Sequence, residues 1–260
     1  MNQFWLTTER RTQRVKNKLG LAAFRVTGWP PHPGFCPVCE SPVSVWQPLI
    51  RQVGEDEYQK EDEGRLCPTC GSMERTRHFW LWLQANGVLK SSPRFLHFAP
   101  EIGLERRLRP LLGKRYITTD LFMPNVDMKM SITDIKLDDG SIDLIYCSNV
   151  LEHVPEDRKA MAELRRILSP GGKMIFQVPI GGDKTYEDPA VQTPEDRTKH
   201  FGQADHVRFY GRDVRTRLEE AGLTVEELIM LDALKLTPEK VQQMNLDKRE
   251  LVHLCGRGRG

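Results

Sequence analysis

A chain of 260 residues with 39% hydrophobic side chains is long enough to bury a full α/β core and carry a small appendage. Its 38 basic and 36 acidic side chains nearly cancel to a net charge of +2, so it has no global polyelectrolyte signature of a nucleic-acid binder. No apolar run approaches the ~20 residues that span a bilayer, and the first residues lack the charged–apolar–small order of a secretion signal, so a cytoplasmic location is expected.

Residues 1–34 read as a basic segment and linker. Six basic side chains (Arg10, Arg11, Arg14, Lys16, Lys18, Arg25) face one acid, Glu9, with Phe4, Trp5, Leu19, Leu21 and Phe24 interspersed. This predicts a basic amphipathic helix, read as a solvated helix packing on the module that follows rather than as a membrane or RNA arm. Gly28-Trp29-Pro30-Pro31-His32-Pro33-Gly34 is a linker.

Residues 35–90 carry two CxxC knuckles, Cys36-Pro37-Val38-Cys39 and Cys67-Pro68-Thr69-Cys70, 27 residues apart. Each lets two thiolates converge on one ion, and two together complete a closed tetrahedral four-thiolate site for a structural zinc. Six cysteines with four at this spacing suit a reducing compartment better than a disulfide scaffold. The charged stretch from Glu55 to Glu63 reads as a solvated loop. Ser72 is placed to cap a helix reaching about Lys90, with Phe79, Trp82 and Leu83 on one face and Trp80 packing against the next domain.

Residues 91–260 predict an α/β domain. Phe95-Leu96-His97-Phe98 is an apolar strand breaking into Ala99-Pro100-Glu101-Ile102-Gly103. A helix with Leu104, Leu108, Leu111 and Leu112 follows, and a second strand ends on Asp120. Ile132-Thr133-Asp134-Ile135 closes a third strand. Asp143-Leu144-Ile145-Tyr146-Cys147-Ser148 forms a fourth, leading into Asn149-Val150-Leu151-Glu152-His153-Val154. Pro155 sits at the start of a helix with Met161, Leu164, Ile167 and Leu168 buried, and Pro170-Gly171-Gly172 turns the chain into a fifth strand, Met174–Pro179. Residues 181–206 hold no periodic pattern and read as a functional lid, with Tyr186, Glu187, His200, Asp205, His206, Arg208 and Tyr210 as its polar set. Asp213–Ala221 is helical, and segments 223–231 and 249–254 predict a closing antiparallel pair. Cys147 and Cys255 lie in apolar strand patterns and read as core residues.

In an open α/β sheet, ligands bind beyond the carboxyl ends of the strands where strand order reverses. A nucleoside there needs close backbone approach at the first turn, which Gly103 permits, and acceptors for ribose hydroxyls and an adenine amino group, which Asp120 and Asp134 supply. The nicotinamide fingerprint Gly-x-Gly-x-x-Gly is absent.

The run from Phe95 to Pro179 resembles the class I S-adenosylmethionine-dependent methyltransferases, most closely the branch with a VLEHV segment, here Val150–Val154. More narrowly it is similar to a bacterial group joining a Cys-rich N-terminal segment to this domain, over roughly residues 36–255. The resemblance implies a Rossmann-like, mostly parallel sheet with an antiparallel final strand, preceded by a small zinc module. It implies S-adenosylmethionine contacts from His97, Ala99, Pro100, Glu101, Gly103, Asp120, Leu121, Asp134, Ile135 and Asn149. The family's acidic-x-Gly-x-Gly-x-Gly turn maps onto His97, Ala99, Glu101 and Gly103, so only the last glycine is kept. In some relatives the acid and histidine matching Glu152 and His153 bind a divalent ion or orient the substrate; helix capping and polar packing are the alternative reading. His153, Glu152 and His206 are the candidate catalytic residues. The expected acceptor is a small molecule or glycan. An RNA base recognised through the zinc module, aided by the first 28 residues and the Arg257–Gly260 tail, stays open, as does a non-catalytic scaffold.

Overall fold

The computed structural model describes residues 12, 15–19, 34–52, 58–91, 93–246 and 251–258. Its strands are β1 (Gly34–Cys36), β2 (Ser41–Val43), β3 (Gln47–Gln52), β4 (Tyr58–Leu66), β5 (Phe95–Phe98), β6 (Tyr116–Asp120), β7 (Met128–Lys129), β8 (Ile142–Ser148), β9 (Leu168–Gln177), β10 (Leu223–Ile229) and β11 (Leu251–Arg257). Its helices are α1 (Glu74–Ala85), α2 (Ile102–Leu112), α3 (Asp157–Ile167), α4 (Pro194–Phe201), α5 (Val214–Glu220), α6 (Met230–Leu234) and α7 (Pro238–Gln243). No helix among the described residues is long and apolar enough to cross a membrane. Most of the basic segment at 1–28 lies outside the described residues; Val15–Leu19 is helical.

The chain divides into two compact units, one drawn from residues 1–87, 101–110 and 229–250, the other from 88–100, 111–228 and 251–260. Residues 101–110 and 229–250 group with the cysteine-bearing unit. The reason is local packing and hydrogen bonding. Gly103 in α2 lies against Cys70. The fully buried Arg77 donates to the carbonyls of Ser72 (2.6 Å) and Asn245 (2.6 Å), and Asn245 Nδ2 donates to Gly64 O. Within this unit β1 and β2 form one antiparallel hairpin, and β3 and β4 another. The charged stretch expected as a loop therefore runs, from Tyr58 onward, as a paired strand. Helix α1 starts at Glu74, its cap residue Met73 makes no side-chain cap bond, and the chain leaves the helix at Ala85 rather than near Lys90. The Ser72 hydroxyl is instead engaged with the Cys36 and Cys70 thiols, at 3.2 and 3.3 Å.

The second unit is a seven-stranded sheet in the order β10-β11-β9-β8-β5-β6-β7. Pairs β5–β6, β6–β7, β5–β8 and β8–β9 are parallel, and β11 runs antiparallel to β9. Strand β5 is wholly buried, and β8 is buried except at Asp143, as continuous apolar runs in a doubly covered sheet require. Helix α3 lays Ala160, Met161, Leu164 and Ile167 into the core, and α5 adds Val214 and Leu218. Cys147 and Cys255 are core residues, as expected.

Three local expectations change. The third strand is only Met128–Lys129, and Asp134 follows it in a turn closed by Asp134 N–H on Ser131 O (3.1 Å). The apolar Ile132 and Ile135 fill core positions there rather than strand positions. Pro170-Gly171-Gly172 lies inside β9, where the pairing jumps from Ile142–Leu168 to Leu144–Lys173, a bulge. Residues 181–206 are ordered structure. Thr193 caps α4 by accepting from Asp196 N–H, Gly202 closes it in a left-handed conformation, and Tyr186 pairs antiparallel with Phe209.

Candidate active site and candidate metal centre

Strand order reverses between β5 and β8, and a cavity of about 570 Å³ opens beyond the carboxyl ends of the strands there. Phe98 and Ala99 leave β5, Asp120 ends β6, and Asn149 and Val150 leave β8; all line it. Leu121, Phe122, Met130 and Ile132 add apolar walls, and His153, Glu156 and Asp205 lie on another side. Among the described residues no lysine or arginine lines the cavity, whereas the carboxylates Asp120, Glu156 and Asp205 do.

Two lining residues take left-handed backbone angles, Ala99 at φ 47° and Asn149 at φ 55°. Asparagine tolerates that region, whereas alanine is strained in it. Ala99 N–H donates to Thr119 O (3.0 Å) and Asn149 N–H to Gln177 O (2.8 Å), which pins both turns to neighbouring strands. Asp120 Oδ1 accepts from the N–H groups of Phe122 (2.7 Å) and Met123 (2.8 Å), so its carboxylate is held rigidly at the strand end.

Other expected cofactor residues stand elsewhere. His97 is fully buried and hydrogen-bonds Tyr116 Oη through Nδ1 at 2.7 Å, away from the cavity. Asp134 points to solvent in an ion pair with Lys136 (2.6 Å). Ile135 is core, and its N–H donates to Glu163. Pro100 is buried and not among the lining residues. Glu101 and Gly103 belong to the cysteine-bearing unit, where Glu101 pairs with Arg75 (3.5 Å). Ser131, Thr133, Met130 and Glu156 line the cavity without any distinguishing sequence signal.

Glu152, His153 and His206 come together, with one ligand-type atom from each lying within 4.8 Å of the others. The Val150–Val154 turn supplies the first two, and α4 with the following residues supplies the third. The His153 and His206 rings meet edge to face at 4.7 Å. Burial lowers the His153 pKa, but the Asp205 hydrogen bond and the Glu152 charge outweigh it, leaving a net rise. The hydrogen bond from His153 in turn holds Asp205 below its ordinary range. His153 and Asp205 line the cavity; Glu152 and His206 lie behind it, both 2% exposed.

A second polar cluster ties Glu187, Arg208 and Tyr210 to the Leu151–Asp157 segment. Arg208, 4% exposed, donates to the carbonyls of Leu151 (2.8 Å), Val154 and Pro155 (2.8 Å) and pairs with Glu187. Arg217 bridges Asp157 (2.8 Å) and Glu187 (2.9 Å), and Tyr210 Oη donates to Asp157 (2.8 Å). Burial and the neighbouring Asp157 push the Tyr210 hydroxyl far above its ordinary value, so it stays a donor. Asp157 and Arg217 carried no sequence signal beyond helix-terminal charge.

In the other unit, Cys36, Cys39, Cys67 and Cys70 converge, all Sγ atoms within 4.8 Å. The Cys36–Cys70 and Cys39–Cys67 Sγ distances are both 3.7 Å. A tetrahedron with Zn–S of about 2.3 Å has edges of about 3.8 Å, so the donor set fits zinc. Hydrogen bonds from the other three thiols, Cys39 first, lower the Cys36 pKa, while Cys67 and Cys70 are raised, first by Cys36. The cluster thus resists carrying four negative charges until a cation supplies the compensation.

Residues 109–176, from the end of α2 through β9, match the family described as methyltransferase domain. That stretch is a methyltransferase domain. The wider chain is 34% identical over 111 residues to an uncharacterised 37.1 kDa protein of a Streptomyces fradiae transposon, covering 41% of this chain and 32% of that one. It is 34% identical over 88 residues to a thiol S-methyltransferase of Homo sapiens, covering 34% and 31%. It is 32% identical over 111 residues to a ubiquinone biosynthesis O-methyltransferase of Thiobacillus denitrificans, covering 42% and 47%. The matched stretch thus spans about a third to a half of these relatives. The seven-stranded sheet with its antiparallel closing strand has the Rossmann-like class I topology of this domain.

Proposed function

We propose that this chain is an S-adenosylmethionine-dependent methyltransferase acting on a small neutral or cationic acceptor. The carrying observation is the 570 Å³ cavity at the switch point, with Asp120 at one strand end and the His153–Asp205 pair on another side. Its volume falls within the range of small-molecule sites. When bound, the cofactor supplies an electrophilic methyl on a sulfonium. Asp120, preset by two backbone N–H groups, accepts from ribose hydroxyls. Leu121 and Phe122, both exposed on the cavity wall, would offer apolar surface to the base. The carboxylate-lined, lysine- and arginine-free cavity favours the cationic sulfonium and disfavours an anionic acceptor such as RNA, whose phosphates would meet Asp120, Glu156 and Asp205. The relatives' names span thiol and oxygen acceptors, so the acceptor's charge is read from this cavity and not from them.

His153, on the cavity wall and paired with Asp205, would take the proton that the acceptor loses on methylation. Glu152, His153 and His206 also form a donor set that a divalent ion could occupy, in which case His153 would be a ligand and not the proton acceptor. Cys36, Cys39, Cys67 and Cys70 hold a structural zinc. Three measurements test this reading: calorimetry with S-adenosylhomocysteine, metal analysis of freshly purified protein, and methyl-label transfer to metabolite and RNA pools. Absence of nucleoside binding by folded protein sinks the enzyme reading, and labelled RNA without labelled metabolites sinks the acceptor assignment.

A further inference from the structure

Residues 205–208 contact the turn that carries Glu152 and His153 at every position. Val207 N–H donates to Glu152 O at 2.9 Å. The Arg208 guanidinium gathers the carbonyls of Leu151, Val154 and Pro155. His206 Nδ1 sits 3.0 Å from Phe201 O and donates its proton to that carbonyl, which orients the ring against His153. Asp205 Oδ2 lies 3.1 Å from His153 Nδ1.

We propose that Asp205 is a positioning residue for His153, and that docking of segment 205–208 on the Leu151–Pro155 turn assembles the acceptor half of the site. This rests on the methyl-transfer reading above. A carboxylate at Nδ1 accepts that nitrogen's proton and fixes the neutral tautomer with its lone pair at Nε2. Both His153 and Asp205 line the cavity. When the acceptor X–H attacks, the X–C bond forms and the C–S electron pair stays on sulfur. The proton from X moves to His153 Nε2. The sulfonium charge is thereby replaced by an imidazolium charge, and Asp205 is the anion beside it. His206 has a neutral carbonyl in the corresponding place and lies behind the cavity, so it cannot stabilise the developing charge equally well.

The side chain of Asp205 is 71% exposed, so its replacement leaves the core intact. Asp205→Asn and Asp205→Glu are compared with wild type in three assays without added divalent ion. These are S-adenosylhomocysteine affinity, single-turnover methyl transfer, and nitrogen-15 correlation spectra of the imidazoles at a pH where His153 is neutral. The expected result is an Nε2 lone pair on His153 in wild type, a mixed tautomer in Asp205→Asn, and recovery of the wild-type tautomer in Asp205→Glu. Nucleoside affinity stays within twofold in all three, while the Asp205→Asn transfer rate falls on the order of 10²-fold. A wild-type His153 protonated at Nε2, or an Asp205→Asn protein with unchanged tautomer and rate, overturns the proposal. The tautomer reading needs no turnover, so a protein that transfers no methyl group defeats the proposed function while the spectra still decide this inference.

Discussion

Gly103 is the one glycine retained from the family's turn, and a substitution there separates two explanations of it. An added Cβ would stand 2.9 Å from Cys70 O and 3.3 Å from Cys70 Cβ and Sγ. Helix propensity favours alanine over glycine by up to about 1 kcal/mol in a helix interior, and less at the second residue of α2. Overpacking against a backbone atom costs about 1–3 kcal/mol, and the Cys70 carbonyl cannot retreat without distorting the knuckle. The collision therefore wins, and Gly103→Ala should destabilise the cysteine-bearing unit by about 1–2 kcal/mol. Zinc-competition titration with a chromophoric chelator should read that as a loss of metal affinity of roughly 5- to 30-fold. Nucleoside affinity measured on fully zinc-loaded protein should change far less. An unchanged zinc affinity together with a large loss of cofactor binding would refute the packing argument and restore the usual reading of this glycine.

Three further outcomes follow from the sheet unit. Asp120→Ala removes a carboxylate already oriented by two N–H donors and should weaken S-adenosylhomocysteine binding by about 1.5–3 kcal/mol by calorimetry; a loss under twofold would remove Asp120 from the site. Ala99→Gly relieves an alanine at φ 47°. The strain of about 1–2 kcal/mol exceeds the unfolded-state entropy of about 0.4–1 kcal/mol that glycine adds, so the melting temperature should rise, and a fall would contradict the strain. Burial opposes ionisation of Glu187, but hydrogen bonds from Arg217 and Arg208 outweigh it, so its folded pKa lies below the ordinary value. Its contribution is thus complete above the unfolded value of about 4.3 and is lost as pH falls through the lower folded value. The melting difference between wild type and Glu187→Gln should be flat at neutral pH and shrink only below about pH 4.3, and a difference that changes between pH 6 and 8 would contradict the latch.

The elements with strong periodicity were legible in the sequence because burial is nearly all that shapes them. Strands β5 and β8 read as apolar runs, and α3 buries the stripe that its spacing predicts. Signals that depend on what a side chain meets in space were not legible. Ser72 has the composition of a helix cap, yet thiols 3.2 and 3.3 Å away engage its hydroxyl. Asp134 has the composition of a strand-end acceptor, yet the strand stops at Lys129 and the acid pairs with Lys136 instead. The lid looked unpatterned because its order comes from the charges of Asp157, Glu187, Arg208 and Arg217 and not from apolar periodicity. Glu152, His153 and His206 could be singled out by chemistry and chain position; Asp205 stood among the polar residues of 181–210, and its pairing with His153 emerges only from the 3.1 Å approach.

The altered turn after β5 shows why counting glycines misjudges such a site. A glycine motif encodes two separate physical requirements, a left-handed backbone angle and close approach of another group. Ala99 still meets the first, keeping φ at 47° at the cost of strain and lining the cavity. Gly103 meets the second, but the approaching group is Cys70 of the four-cysteine cluster. The first position, acidic in the family, holds a histidine buried against Tyr116, so no charge is needed there. Glu101 is held by Arg75 within the cysteine-bearing unit. Each departure thus has a local partner that accounts for it, and none removes Ala99, Asp120 or Asn149 from the cavity. The departures from the family's turn are thus accounted for by local contacts, and they leave the proposed cofactor cavity lined by Ala99, Asp120 and Asn149.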